Sequence, residues 1–295
     1  MIEIHEDFNL KDYNSWKLEV FAEKACLPTT VEEIKQAQQW AQENSQPVTV
    51  LGGGTNVLIS DQGVSGLLII LKNFKGVEVL EDKTNLKLKA KAGTPKFELM
   101  RHFMKYRLSP ALFLSGLPGD VAGGVVMNAG VSEARTPREF CEVVESFEVL
   151  KPDNSIKTYN KDEITWVYRT SKGWQPGIIT SVTLSWSLEK DLEIPKKVKE
   201  ANMLRLSKQP LDQPSCGSTF RNPEGTSAGA LIDQCGLKGF EIGGAQVSKK
   251  HANFLINTGT ATATDFAQLI KHIQNVVLEQ KNIQLQTEVK WLGNW

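Results

Sequence analysis

The glycine-rich segment at residues 51–57 most constrains the fold of this chain. Its sequence, Leu-Gly-Gly-Gly-Thr-Asn-Val, follows a strand-like run at residues 48–51 and leads into a second apolar run at residues 56–60. A dinucleotide-binding fingerprint would need a third spaced glycine where Val57 stands, and a helix directly after it. The segment therefore predicts a glycine loop between two strands, whose consecutive N–H groups suit a diphosphate. A tight bend without a ligand is the alternative.

The rest of the hydrophobic pattern predicts short strands that often follow one another without a helix. Runs at residues 67–71, 77–80 and 86–92 are examples, and the last alternates apolar residues with lysine, as expected for a strand with one solvated face. This succession favours an α+β fold over a doubly wound parallel sheet. Helices are predicted at residues 30–44 (with Thr30 and Glu33 as a capping box), 94–106 (with Thr94 as cap), 192–207, 228–235 and 265–280, and further strands at 143–150, 178–188 and 285–292.

The composition is that of an ordinary globular protein. Apolar residues make up 40% of the chain, and 34 basic residues balance 34 acidic ones. Without a basic surplus, nucleic acid is not an expected partner. The longest strongly apolar run, at residues 67–71, is too short to cross a bilayer, and the first ten residues lack a signal-peptide pattern. The four cysteines show no Cys-x-x-Cys spacing, so no metal site is expected and a cytoplasmic location fits free thiols.

Two further segments have residues suited to binding a small polar ligand. Residues 115–130 contain five glycines and almost no charge, which predicts a long loop ordered by a bound cofactor. A closely packed buried connection is the alternative. Residues 213–223 place the Ser218 hydroxyl beside the apolar, cationic and amide side chains of residues 220–222. This mixture indicates a site where a substrate is held and a proton or acyl group moves, with a proline-bounded turn as the alternative.

Several motifs follow one another along most of the chain. They lie at residues 51–61, 116–130, 168–171, 213–223, 231–239, 242–248, 251–254 and 287–289. Taken in this order, they resemble the motifs of the UDP-N-acetylenolpyruvoylglucosamine reductase family, which are flavoproteins of peptidoglycan synthesis. No single motif is decisive, but the ordered set is highly specific. The form at residues 213–223 is similar to that of the shorter subclass, which lacks an inserted substrate-covering loop.

The resemblance implies an FAD-binding region of two α+β subdomains, followed by a C-terminal α+β substrate-binding domain. The FAD-binding region would be of the type shared with vanillyl-alcohol-oxidase-like flavoproteins. We expect the two subdomains at residues 1–75 and 76–190 and the C-terminal domain at residues 191–295. The resemblance also implies a cytoplasmic monomer that acts on a small molecule, without a membrane or nucleic-acid partner.

A two-step reaction is implied as well. NADPH reduces the FAD and leaves, and UDP-N-acetylglucosamine-enolpyruvate then enters the same cleft and is reduced to UDP-N-acetylmuramate. Hydride goes to C3 of the enolpyruvyl group, and the charge left at C2 must be protonated. Ser218 matches the proton donor, and Glu288 matches a carboxyl group near C2 that orients the substrate or supplies the proton. Arg169 matches the cation that pairs with the substrate carboxylate and stabilises the enolate.

The resemblance also carries binding residues onto this chain. Asn222 matches a substrate-contacting amide, and Tyr168 is expected to bind substrate beside Arg169, whereas His251 is expected to be structural. The expected cofactor-binding residues are Gly52, Gly53, Gly54, Thr55, Asn56, Gly119, Gly123 and Asn128.

Three segments depart from the family pattern, which affects local flavin contacts. Residues 16–25 lack the glycines that the family usually has near its start, Ala122 stands where the family usually has a glycine, and residues 131–137 replace an Ala-Tyr-Gly sequence.

Two other functions stay open at this point. A flavin oxidase could share the fold, although residues 51–61 lack a histidine or cysteine for covalent flavin attachment. A non-catalytic nucleotide-sugar sensor would have no use for a proton donor.

Overall fold

The computed structural model describes residues 2–80, 82–133 and 136–295, with only the backbone at residues 132 and 133. Two positions of the departing segment at residues 131–137, numbers 134 and 135, thus lie outside the described residues. The chain forms two compact units. Unit 1 comprises Met1–Ile4, Ala25–Gly53 and Leu67–Met203, and unit 2 comprises His5–Lys24, Gly54–Gly66 and Leu204–Trp295. The division at residues 75 and 190 stays a prediction.

Helices and strands are mixed in both units, as expected for an α+β fold. The helices are α1 (Val31–Glu43), α2 (Lys96–Lys105), α3 (Pro110–Leu114), α4 (Val121–Val126), α5 (Ile194–Lys208), α6 (Ala228–Gln234) and α7 (Ala263–Lys281). The strands are β1 (His5–Asn9), β2 (Phe21–Cys26), β3 (Val48–Leu51), β4 (Val57–Ile59), β5 (Val64–Ile70), β6 (Val77–Leu80), β7 (Asn85–Lys91), β8 (Gly130–Glu133), β9 (Thr136–Glu139), β10 (Val144–Leu150), β11 (Ile156–Asn160), β12 (Thr165–Val167), β13 (Thr170–Lys172), β14 (Ile178–Ser187), β15 (Ser215–Ser218), β16 (Glu241–Ile242), β17 (Ala245–Val247), β18 (Phe254–Asn257) and β19 (Lys290–Leu292).

An antiparallel sheet of order β11-β10-β14-β7-β6 forms the centre of unit 1. The middle strand places Val182 between Phe147 on one neighbour and Ala90 on the other, and all three side chains are buried. In addition, β3 pairs in parallel with β5, with Val48 opposite Leu67. The strands predicted on both sides of the first glycine loop, β3 and β4, are confirmed.

The ends of two predicted helices differ in detail from expectation. Thr30 caps α1 by accepting the N–H of Glu33, and the Glu33 carboxylate accepts the N–H and the hydroxyl of Thr29. The assignment of Thr94 as the cap of α2 is wrong, because Pro95 occupies the cap position. The Thr94 hydroxyl instead bonds to both backbone groups of Gly76, a partner distant in sequence.

The segment at residues 115–130 is not the long loop that its glycines predict. It contains α4, whose first turn begins after Asp120, and the Asp120 side chain accepts the N–H of Gly123 as an N-terminal cap. A capped helix start satisfies backbone groups that a loop would leave to water or a ligand. Ala122, one of the departures from the family pattern, is buried in this helix and donates its N–H to the Ala92 carbonyl at 3.0 Å.

Unit 2 contains a sheet of order β15-β18-β17-β16 and the parallel pair of β19 with β4. Its core includes Trp16, whose ring stacks on Phe266 at 4.4 Å and whose indole N–H donates to the Leu255 carbonyl at 2.8 Å. The departing segment at residues 16–25 therefore contributes to the core of this unit. The predicted strand at residues 285–292 is shorter than expected, since only Lys290–Leu292 forms a strand.

The long helix α7 is held at its start by a residue from the motif at residues 51–61. The Asp61 carboxylate accepts the N–H groups of Ala263 and Thr264 at 2.8 and 2.7 Å, and also the Thr264 hydroxyl. Thr262 caps the N–H of Asp265. The first three N–H groups of the helix are thereby satisfied. In the described part of the chain, no helix combines the length and apolar character needed to span a bilayer.

We predict that Asp61→Ala lowers the free energy of unfolding by about 1 to 2 kcal/mol, because two N–H groups of α7 lose their acceptor. Urea unfolding monitored by circular dichroism measures the effect. Asp212, an exposed aspartate of the same unit, provides the control variant Asp212→Ala. Equal stability of the two variants would contradict the capping role.

Candidate functional site

Two glycine segments meet in unit 1. The N–H of Gly53 donates to the Asp120 carboxylate, and a Cβ atom on Gly53 would lie only 3.1 Å from Cα of Gly119. A Cβ on Gly52 would collide with the Asp120 carboxylate. Main chains this close leave no room for side chains. The loop at residues 51–53 and the start of α4 therefore form a surface of bare backbone in unit 1, which we name the glycine cradle.

Two buried charged residues, Asp120 and Lys96, lie beside the cradle. Asp120 is 4% exposed and accepts the Gly123 N–H at 2.6 Å, in addition to the Gly53 N–H. Lys96, 3% exposed, donates from Nζ to the Asp120 carbonyl at 2.7 Å. Burial lowers the pKa of Lys96 to about 8, although the charge of Asp120 acts in the opposite direction. The lysine thus carries a positive charge at neutral pH, at a cost in solvation.

Sequence reasoning missed both of these residues. Asp120 had a usable signal, because an aspartate directly before the apolar run of residues 121–126 is a common helix cap. Lys96 had none, since a lysine in the first turn of a helix is ordinarily solvated.

The cradle fits a flat cofactor carrying a diphosphate. Gly53 is exposed, and Gly52 and Gly119 beside it have no side chains, so a ligand can approach the main chain closely. Of the predicted cofactor residues, Gly52, Gly53, Gly119 and Gly123 lie together here in unit 1. Gly54, Thr55 and Asn56 belong to unit 2, where Gly54 has φ +64° and packs against the carbonyl of Tyr13. Thr55 is half-buried just before β4.

Asn128 is fully buried and holds several parts of unit 1 together. Its Nδ2 donates to the Glu139 carboxylate at 2.7 Å and to the Val167 carbonyl at 3.3 Å, and its Oδ1 accepts the Cys141 N–H at 3.1 Å. Its φ of +38° is unusual for a residue other than glycine. The amide is thus occupied by the protein itself, and the contact of Asn128 with flavin stays a prediction.

Tyr168 and Arg169 form the two-residue turn between β12 and β13, since Val167 pairs with Thr170. Arg169 has φ +57°, a left-handed conformation that is uncommon for residues other than glycine. Its guanidinium donates to the Gly130 carbonyl at 2.9 Å and lies 4.6 Å from the centre of the Tyr168 ring. A Cβ on Gly130 would come within 2.9 Å of Nη1. The end of the second glycine segment therefore orients the cation, while Tyr168 stays 44% exposed.

In unit 2, Ser218 ends β15 beside Phe254 of β18. The register between these strands shifts between Ser215 and Ser218, and Gly217 adopts φ +75° at the irregularity. Such bulges redirect the side chains that follow them. The neighbouring Cys216 is no rival nucleophile, because burial raises the pKa of its thiol to about 12.

One residue, Thr219, connects the predicted proton donor with the predicted carboxyl group. Thr219 directly follows Ser218 in the chain, and its carbonyl accepts the N–H of Glu288 at 2.8 Å. The Glu288 carbonyl accepts Nδ2 of Asn56 at 3.2 Å, and the Asn56 carbonyl accepts the Lys290 N–H at 3.0 Å. Unit 2 therefore brings Ser218, Glu288 and Asn56 into one hydrogen-bonded neighbourhood. Arg169 and Tyr168 belong to unit 1.

Asn222 and His251 also have structural partners. The Oδ1 of Asn222 accepts the N–H of Ala228 at the start of α6, which leaves its NH₂ group as the part able to donate to a substrate. His251 accepts the Asn253 N–H at Nδ1, over 3.2 Å. Burial, followed by the charge of Lys238, lowers the pKa of His251, so the ring is neutral at pH 7.

Comparison with known proteins gives similarity along nearly the whole chain. Residues 22–160 match the family described as FAD binding domain, and residues 209–292 match the family described as UDP-N-acetylenolpyruvoylglucosamine reductase, C-terminal domain. The UDP-N-acetylenolpyruvoylglucosamine reductases of Lactiplantibacillus plantarum and Lactobacillus helveticus are 38% and 39% identical over 293 residues. These alignments cover 99% of this chain and 94% and 96% of those proteins. The crystal structure of the corresponding reductase from Thermus caldophilus superposes with a TM-score of 0.80, at 31% identity and 99% coverage of both chains.

The buried lysine behind the cradle yields a pH prediction. Lys96 has an ordinary pKa of 10.5 in the unfolded chain and about 8 in the folded protein. Between these values the unfolded chain binds more protons, so the contribution of Lys96 to the free energy of unfolding rises with pH. We expect the Tm of the unsubstituted protein minus that of Lys96→Met to increase between pH 8 and pH 10.5. Differential scanning calorimetry measures it.

The exposed Lys75 supplies the control for this experiment. The same Tm difference measured with Lys75→Met should stay flat over this pH range. If the Tm difference between the unsubstituted protein and Lys96→Met stays constant or falls as the pH rises, the lowered pKa of Lys96 is contradicted.

Proposed function

The chain belongs to the UDP-N-acetylenolpyruvoylglucosamine reductase family, and we propose that it reduces the enolpyruvyl group of UDP-N-acetylglucosamine-enolpyruvate to UDP-N-acetylmuramate in peptidoglycan synthesis. The observation that carries this conclusion is the similarity to these reductases over nearly the full length of both proteins. The resemblance inferred from the ordered motifs is confirmed, as are the α+β fold and the FAD-binding region. No observation favours the oxidase or the sensor.

The glycine cradle would hold FAD, which when bound would supply the hydride chemistry between the nicotinamide donor and C3 of the enolpyruvyl group. The protein side chains then have to stabilise the charge at C2 and bring a proton there. We propose that the Ser218 hydroxyl donates this proton. A serine hydroxyl is a weak acid, so the negative charge it leaves needs stabilisation or a further proton route.

We assign the carboxyl group of Glu288 to orienting the enolpyruvyl group, or to supplying the proton through Ser218. The hydrogen bond between the Glu288 N–H and the Thr219 carbonyl supports this role, because it fixes the backbone of Glu288 against the residue that follows Ser218. Both side chains are only half-buried, so a ligand can reach them.

Arg169 is proposed to pair with the substrate carboxylate and to stabilise the enolate. Its guanidinium donates to the Gly130 carbonyl and lies against the Tyr168 ring, and these two contacts hold the cation in place. A cation fixed before the reaction stabilises developing charge without reorganisation. Tyr168 and the NH₂ group of Asn222 are proposed to contact the same substrate.

Several finer points belong to the proposal as well. We infer NADPH as the hydride donor, because the family uses this cosubstrate. We also propose that the enzyme works in the cytoplasm as a monomer, and the four free thiols are compatible with a reducing compartment. The glycine cradle, with Gly54, Thr55, Asn56 and Asn128, is proposed to contact FAD.

An anaerobic visible spectrum of the purified protein tests the reaction. The flavin should bleach on addition of NADPH and recover its colour when UDP-N-acetylglucosamine-enolpyruvate follows, without oxygen. Recovery only with air would favour an oxidase. A protein that cannot be loaded with FAD would contradict the proposal and favour the sensor.

For the proton donor, we predict that Ser218→Ala leaves flavin reduction by NADPH nearly unchanged and slows anaerobic reoxidation by the substrate by about 100-fold or more. Stopped-flow absorbance separates the two half-reactions. Ser215, half-buried in the same strand, supplies the control variant Ser215→Ala, which should retain both rates. Equal loss of both half-reactions in Ser218→Ala would show that the assignment is wrong.

A further inference from the structure

A buried asparagine in unit 2 binds the backbone next to Ser218 at three points. Asn253 is 2% exposed. Its carbonyl accepts the N–H of Thr219 at 2.8 Å, its Oδ1 accepts the N–H of Phe220 at 2.9 Å, and its Nδ2 donates to the carbonyl of Phe220 at 2.8 Å. The side-chain amide therefore satisfies both backbone groups of one residue.

The need for this amide follows from the ends of two strands. Strand β15 ends at Ser218 and β18 begins at Phe254, so ordinary strand pairing stops at this point. Phe220 is 1% exposed, so unpaired backbone groups at this position would destabilise the fold. The amide of Asn253 has the same donor and acceptor as a peptide group, so it extends the pairing by one residue.

Asn253 is itself held in place by the turn that precedes β18. Its N–H donates to Nδ1 of His251 at 3.2 Å, and the N–H of Phe254 donates to the His251 carbonyl at 2.9 Å. The hydroxyl of Ser248, 1% exposed, accepts the N–H of Lys250 at 3.1 Å. The position of the amide is thus set by a turn with several internal hydrogen bonds.

The segment after Ser218 is bound from a second direction as well. Thr219 accepts the N–H of Glu288, and the N–H of Arg221 donates to the Gln286 carbonyl at 2.9 Å. The N–H of Thr219 therefore donates to the Asn253 carbonyl, and the Thr219 carbonyl accepts the N–H of Glu288. A shift of the Asn253 amide would move the backbone that carries Ser218 on one side and contacts Glu288 on the other.

We propose that Asn253 is a positioning residue for proton delivery, which holds Ser218 and the backbone of Glu288 in the geometry that the second half-reaction needs. This inference rests on the proposed function, since it assumes that Ser218 is the proton donor. Asn253 touches neither substrate nor flavin in this role and acts through the backbone of residues 219 and 220.

The test uses Asn253→Asp in the full-length, FAD-loaded protein. Aspartate keeps the size and the acceptor for the Phe220 N–H but loses the donor for the Phe220 carbonyl. Because misplacement by about 1 Å can cost about 100-fold in rate, we expect anaerobic reoxidation by the substrate to slow by about 10- to 100-fold. Flavin reduction by NADPH, expressed per bound flavin, should stay within about twofold. In steady state, kcat should fall with little change in KM for the substrate.

Asn257, the last residue of β18, offers a matched control. It is 8% exposed, donates from Nδ2 to the Trp16 carbonyl at 2.8 Å, and accepts the N–H of Gly259 at the same distance. Asn257→Asp therefore disturbs a comparable buried amide away from Ser218. We expect it to lower Tm without changing the ratio of the two half-reaction rates.

The outcomes are distinguishable. The positioning role would be overturned if FAD-loaded Asn253→Asp is reoxidised by the substrate at an unchanged rate. It would also be overturned if Asn257→Asp changes the ratio of the two half-reaction rates as much as Asn253→Asp does. If the unsubstituted enzyme itself is not reoxidised by the substrate, the proposed function fails instead. If Asn253→Asp does not fold, His251→Ala decides, because it removes the acceptor for the Asn253 N–H, together with a ring contact to Phe254 at 4.7 Å, and leaves the Asn253 amide itself in place. If His251→Ala slows flavin reoxidation by the substrate but not flavin reduction by NADPH, the positioning role is supported. If the ratio of the two rates is unchanged in His251→Ala, the positioning role is overturned.

Discussion

The glycine cradle depends on the hydrogen bonds that the Asp120 carboxylate accepts. This carboxylate accepts the N–H of Gly53, 67 residues away in the chain, and the N–H of Gly123 in its own helix. Hydrogen bonds to a charged group contribute about 1.5 to 3 kcal/mol each, more than neutral ones. Through these bonds, one side chain brings two glycine segments into backbone contact. Lys96 compensates part of the buried negative charge.

Unit 2 holds its functional segment in a similar way. The side-chain amide of Asn253 replaces a missing peptide partner for Phe220, and the Asp61 carboxylate does the same for the first turn of α7. Irregular backbone around a site leaves N–H and carbonyl groups without strand or helix partners. In both units, short polar side chains from distant segments provide those partners. Such bonds set the backbone geometry before any ligand binds.

This use of polar residues refines what a family resemblance can assign. Asn128 and Asn222 match positions associated with flavin and substrate, yet each uses part of its amide to hold the protein's own backbone. A motif names a position, but it does not say which atom of the side chain faces a ligand. In Asn222 the Oδ1 atom accepts the Ala228 N–H, while both polar atoms of Asn128 are bonded within unit 1.

The sequence by itself determined the mixed α+β character, the glycine loop between β3 and β4, and the family, because local periodicity and ordered motifs are encoded in neighbouring residues. The helix within residues 115–130 had one local signal, Asp120 before an apolar run, whereas only the tertiary structure decided that Pro95 and not Thr94 caps α2. The same holds for the contacts of Asp120 and Asn253 with partners 67 and 33 residues away. Those bonds depend on how distant segments pack, and no local pattern specifies which backbone groups will be left without a partner.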